Sequence, residues 1–86
     1  IPIMTPGHSS DSVTFYFKDD NAMFVGDFIF RDTVGRCDLP TGSSSDMDKS
    51  IEKIKTYDDS IALYPGHGDE TTLGREKQYN LYFIKK

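Results

Sequence analysis

Two histidines and an aspartate, each set among glycines where an apolar run gives way to a loop, are the residues of this chain best suited to act together chemically. His8 lies in Thr5-Pro6-Gly7-His8, Asp27 in Gly26-Asp27-Phe28 and His67 in Pro65-Gly66-His67-Gly68. Imidazole nitrogen with carboxylate oxygen is a donor set for zinc, and equally for iron or manganese, whereas calcium and magnesium take more oxygen ligands. A glycine beside each residue lets the backbone turn sharply and leaves the side chain access to a shared cavity. The same three positions also read as unrelated loop residues whose glycines serve turns. What links them is that both histidines of the chain occupy one kind of strand-exit setting.

These positions need strands to carry them. Ile1-Pro2-Ile3-Met4 reads as the end of a strand whose beginning is missing. Val13-Thr14-Phe15-Tyr16-Phe17 is β-branched and aromatic, Lys18-Asp19-Asp20-Asn21 is a polar turn, and Ala22 to Val25 forms a second strand, so residues 13–25 predict a β-hairpin. Phe28-Ile29-Phe30 is a brief continuation. Residues 31–45 hold Gly35, Pro40, Gly42 and three serines without periodicity, which predicts a long loop. A helix follows, with Ser45 as its cap, Asp46 and Asp48 at its positive end, Met47, Ile51 and Ile54 at helical spacing, and Tyr57-Asp58-Asp59 closing it. Residues 60–64 form a further strand stopped by Pro65-Gly66. After the polar exit Asp69-Glu70-Thr71-Thr72, residues 73–86 have helical composition, with Tyr79, Tyr82 and Phe83 as packing residues.

Composition bounds the rest. A chain of 86 residues buries about 60 to 65% of the surface that it exposes when unfolded, enough for one small domain or a piece of one. With 36% hydrophobic and 28% charged residues it reads as globular, and a net charge of -4 argues against nucleic acid as a partner. Cys37 is the single cysteine, so no intrachain disulfide forms; a small loop or core residue is its simpler reading, and a cytoplasmic location is the default. No apolar run approaches the roughly 20 residues of a membrane span, no basic and then apolar leader precedes the domain, and no membrane partner is expected.

Thr5-Pro6-Gly7-His8, Gly26-Asp27-Phe28-Ile29-Phe30, Gly35-Arg36-Cys37-Asp38-Leu39-Pro40-Thr41-Gly42 and Tyr64-Pro65-Gly66-His67-Gly68-Asp69-Glu70-Thr71-Thr72 together resemble the metallo-β-lactamase superfamily, and within it the glyoxalase II (hydroxyacylglutathione hydrolase)-like branch. The resemblance implies an α/β fold, the C-terminal half of an αββα sandwich: β-hairpin, long loop, helix, strand, helix. It makes residues 1–86 a single partial domain lacking the N-terminal half. It also implies metal ligation by His8, Asp27 and His67, with Asp27 the catalytic carboxylate bridging two zinc ions, iron or manganese being alternatives. The implied reaction is hydrolysis of a small-molecule thioester, such as an acylglutathione, by water activated between the metals.

The family's H-x-H-x-D-H motif, upstream of Thr5-Pro6-Gly7-His8 in its members, has no counterpart here. One histidine per metal plus the shared Asp27 gives each ion two protein ligands where a catalytic zinc keeps three. The chain alone is therefore expected to bind metal weakly and turn over poorly. Its sheet should expose an apolar face, covered by a homodimer partner or by the missing N-terminal half. Two alternatives follow: an iron persulfide dioxygenase-like enzyme, and a non-catalytic module that dimerises through its incomplete sheet. Arg36 and Asp38 are expected to pair and hold the loop beside the metals.

Overall fold

The computed structural model describes residues 1–38 and 40–84. Five strands form the main sheet in the order β1-β2-β3-β6-β7: β1 (Pro2–Met4), β2 (Val13–Phe17), β3 (Ala22–Gly26), β6 (Ala62–Pro65) and β7 (Thr71–Thr72). β2 and β3 are the expected hairpin, joined by the 3-10 turn Lys18–Asp20 and by Asn21 in the left-handed region at φ 51°. β3 and β6 run parallel, which requires a crossover. Helix α1 (Ser44–Ile54) supplies it.

The two faces of this sheet differ in fate. Pairing places Tyr16, Met23, Leu63 and Thr71 in one row and Phe15, Phe24 and Tyr64 in the next, so the rows point to opposite faces. The first face carries the core, where Met23, Val25 and Leu63 meet Met47, Ile51 and Ile54 of α1, together with Phe28, Ile29, Leu73 and Phe83. Each such side chain contributes about 2 kcal/mol when fully buried. The second face leaves Phe15, Phe17 and Phe24 about half exposed, with Phe24 edge-on to Phe17 and beside Tyr64.

Three expectations change in detail. Residues 31–45 are not wholly a loop, because β4 (Ile29–Phe30) and β5 (Thr33–Val34) form a second, two-stranded sheet around Arg31 and Asp32. Asp32 takes φ 71°, a conformation that Asp tolerates better than most residues, so a turn without glycine was hard to read. The cap of α1 is Ser43 rather than Ser45: its hydroxyl accepts from Asp46 N-H at 3.1 Å. The final helix is two pieces, α2 (Leu73–Tyr79) and α3 (Leu81–Ile84), and the last two residues of the expected helix lie outside the described ones.

The break falls at Asn80, whose backbone is extended. Its buried side chain accepts from Tyr82 N-H at 3.0 Å and donates to Thr33 O. Phe83 packs in the core as expected, but Tyr79, the last residue of α2, and Tyr82 in α3 are exposed. Thr72 caps α2 through its hydroxyl, which accepts from Arg75 N-H at 3.2 Å. Among the described residues no helix is long and apolar enough to cross a membrane.

Candidate metal centre

All three candidate ligands stand at one end of the sheet, on loops that leave β1, β3 and β6. The loop after β1 is tied down from two sides. Thr5 is fully buried and its hydroxyl meets that of Thr14 at 3.0 Å, while Ser50 of α1 donates to Pro6 O at 2.7 Å and Ser43 N-H donates to Gly7 O at 2.8 Å. Gly7 is required there: its φ is 151°, and a Cβ would come within 2.7 Å of the Met47 Cα. The loop after β3 turns at Gly26, φ 55°, and closes through Phe28 N-H on Val25 O. The loop after β6 is joined to it, since Gly66 N-H donates to Gly26 O at 2.9 Å.

Asp27 stands between the two histidines and presents a different oxygen to each. His8 Nε2 lies 3.6 Å from Oδ2 and His67 Nδ1 lies 3.7 Å from Oδ1. These separations are too long for hydrogen bonds. They approach the ligand-to-ligand edge of about 3.4 Å that bonds of about 2.1 Å give around a tetrahedral ion. Among the described residues no His, Cys, Asp and Glu trio closes on a single point as a self-sufficient cage. The arrangement is two pairs that share one carboxylate.

The tautomer of His8 sharpens the fit. Its Nδ1 lies 2.8 Å from Arg36 O, and a carbonyl only accepts, so Nδ1 carries the hydrogen; in the neutral ring this leaves Nε2 as the acceptor that faces Asp27. Two acceptors turned toward one another are favourable when a cation lies between them. A ring N-H on a backbone carbonyl is also the usual outer support of a metal-bound histidine. The residues present therefore fit a metal, with His8 and Asp27 on one side and Asp27 and His67 on the other.

Exposure follows the same order. The His8 side chain is 20% exposed, Asp27 45% and His67 78%, so the centre opens to solvent on the His67 side. Phe30 lies against the His67 ring with centroids 4.9 Å apart. Arg36 and Asp38 form the expected pair, Nε to Oδ1 at 2.7 Å and Nη2 to Oδ2 at 3.0 Å. That hydrogen bond holds the Asp38 carboxyl below its ordinary range.

Reading side chains alone missed two contributions. The Arg36 carbonyl orients His8, and main-chain groups leave no mark in a residue pattern. Gly35 lets that carbonyl approach, because a Cβ there would overlap Asp27 O and lie 3.1 Å from His8 Nδ1. Its glycine was the only available signal. Beside this wall a cleft of about 360 Å³ is lined by Gly35, Arg36, Cys37, Met47, Asp48 and Tyr82, among others.

Comparison with known proteins identifies the family. A probable metallo-hydrolase of Streptococcus pyogenes is 42% identical over 80 residues, covering 92% of this chain and 34% of its own length. The hydroxyacylglutathione hydrolase GloC of Haemophilus influenzae is 34% identical, covering 94% of this chain and 39% of its own length. The crystal structure of TTHA1623 in a di-iron-bound form superposes with a TM-score of 0.90 at 37% identity, covering 92% of this chain and 40% of that one. The chain thus spans little more than a third of the length of these proteins. The family description that matches residues 1–67 is that of the metallo-beta-lactamase superfamily, and with the mixed α/β fold and these metallo-hydrolase relatives the chain belongs to that superfamily.

Proposed function

We propose that this chain forms part of a metal-dependent hydrolase of the glyoxalase II-like branch, acting on a small-molecule thioester such as an acylglutathione. The observation that carries the reading is Asp27, one oxygen toward each histidine at 3.6 and 3.7 Å. His8, Asp27 and His67 would hold the metal, zinc by donor chemistry, with iron also compatible with these donors. When bound, the metal supplies a Lewis acid for the thioester carbonyl and acidifies water toward neutral pH.

The chain's own groups do the remaining work. Asp27 fixes the spacing of the two binding positions through the short span of one carboxylate. Arg36 O fixes the His8 ring so that Nε2 stays available. Phe30 lies against one face of His67 and limits how its ring can turn. The cleft lined by Gly35 and Arg36 would take part of a substrate whose reacting carbonyl lies at Asp27. The apolar row of Phe15, Phe17 and Phe24 suits cover by a second sheet, from further chain or a second copy, that would add the ligands each metal still lacks.

Zinc titration of the full chain, together with thiol release from an acylglutathione, tests the reading. Zinc is expected to bind weakly and thiol release to be slow, and Asp27→Asn is expected to abolish both. A parent chain that binds no zinc, iron or manganese overturns the metal reading. Oxygen uptake with glutathione persulfide, without thioester cleavage, overturns the hydrolase in favour of the dioxygenase-like alternative.

A further inference from the structure

The β4–β5 hairpin is the element that touches all three candidate ligands. Its base is Asp27 and Phe28, closed by Gly35 N-H on Phe28 O at 3.1 Å. Its first strand carries Phe30 against His67. Its second strand leads directly into Gly35 and Arg36, whose carbonyl holds His8. Two strands of two residues each make few ladder bonds, so the hairpin's placement depends on what grips its tip.

That grip is a buried carboxylate on α2. Glu76 is fully buried, and its oxygens accept from four donors: Oε1 from Asp32 N-H at 2.9 Å and Asn80 Nδ2 at 2.8 Å, and Oε2 from the Thr71 hydroxyl at 2.7 Å and Arg75 Nη1 at 3.2 Å. Asn80 Nδ2 also donates to Thr33 O at 3.0 Å, and Arg75 pairs with the Asp32 carboxylate at 2.6 Å. The hairpin tip is thus held at three consecutive points: the Asp32 carboxylate, the Asp32 N-H and the Thr33 carbonyl. Burying a carboxylate is costly unless its lone pairs are met, and here they are met by groups on β7, α2 and the hairpin. Nothing in the core requires charge at this place; what the carboxylate joins is the hairpin.

We propose that Glu76 is a positioning residue for the metal centre, holding the tip of the β4–β5 hairpin and through it the relative placement of His8, Asp27 and His67. The inference rests on the metal reading above for its effect on binding, but not for its effect on ring geometry. It makes two measurements on the full chain informative: imidazole and Phe30 ring NMR signals without metal, and zinc affinity by titration. Glu76→Ala is expected to shift the His67 and Phe30 signals and to weaken zinc binding about tenfold, in line with loss of an outer support of a ligand. Glu76→Gln, which keeps one oxygen for Asp32 N-H and Asn80, is expected to recover part of both. Ile54→Val, a destabilisation within α1 and outside the clamp, is expected to leave both as in the parent.

If Glu76→Ala does not fold, Asn80→Ala removes the Thr33 tether, together with one bond to Glu76 and the one from Tyr82 N-H, while leaving both Asp32 tethers, and is expected to move both readouts in the same direction. Parent ring signals and parent zinc affinity in a folded clamp variant overturn the inference, as does an equal loss in Ile54→Val. A parent chain that binds no zinc overturns the metal reading instead, and the metal-free ring signals still decide the positioning.

Discussion

At the scale of single residues, the centre depends as much on what is missing as on what is present. Gly35 has no side chain, and the space where one would stand is filled by Asp27 O and bounded by His8 Nδ1. Gly35→Ala is therefore expected to destabilise the chain by about 3 kcal/mol, the upper part of the range for overpacking a tight site, and to lower metal affinity with it. Urea unfolding of the metal-free variant measures the first effect, and zinc titration the second. His8, Asp27 and His67 were recognisable from residue type and neighbours, because donor chemistry and glycine are both written in side chains. The Arg36 carbonyl was not, because every residue has one and only the folded backbone aims it.

At the scale of elements, the hairpin and helix α2 act as one unit joined by charge. The Arg75 hydrogen bond, opposed by some desolvation, lowers the Asp32 pKa below its ordinary value. A carboxylate whose folded pKa is depressed adds stability above its unfolded pKa, near 3.9, and loses it as pH falls through the folded value. The pair is exposed, so its effect is modest. Asp32→Asn keeps a side chain that tolerates φ 71° while removing the charge. The variant is expected to lose less stability than the parent between pH 5 and about pH 2, as acid unfolding followed by circular dichroism would show. The hairpin itself was hidden because its turn, Arg31-Asp32, lacks the Asn-Gly or Gly-X signature of two-residue turns. Asn80, similarly, ends α2 through a tertiary bond to Thr33 and a local one to Glu76 rather than through a glycine or proline.

At the scale of the whole molecule, the sheet has one face that packs and one that does not. Phe15 and Phe24 sit opposite one another in register and continue to Tyr64, giving an aromatic row across three strands. Such a row in water favours association. Light scattering of the parent is expected to show a mean mass that rises with concentration above 9.7 kDa. Phe24→Lys is expected to hold the chain at that value. A concentration-independent 9.7 kDa parent would mean that the row is tolerated in solution.

The amino-acid sequence by itself singled out His8, Asp27 and His67 as candidate ligands and gave the hairpin of residues 13–25, helix α1 and a strand over residues 60–64, which the structure sets at Ala62–Pro65. Those are matters of donor chemistry and local periodicity. Only the tertiary structure set the distances, 3.6 Å from His8 and 3.7 Å from His67 to different oxygens of Asp27, and brought Glu76, 49 positions after Asp27 in the chain, onto the hairpin. The reason is physical: distances between loops are set by how strands register and how buried polar groups find partners, and neither is carried by any one stretch of residues.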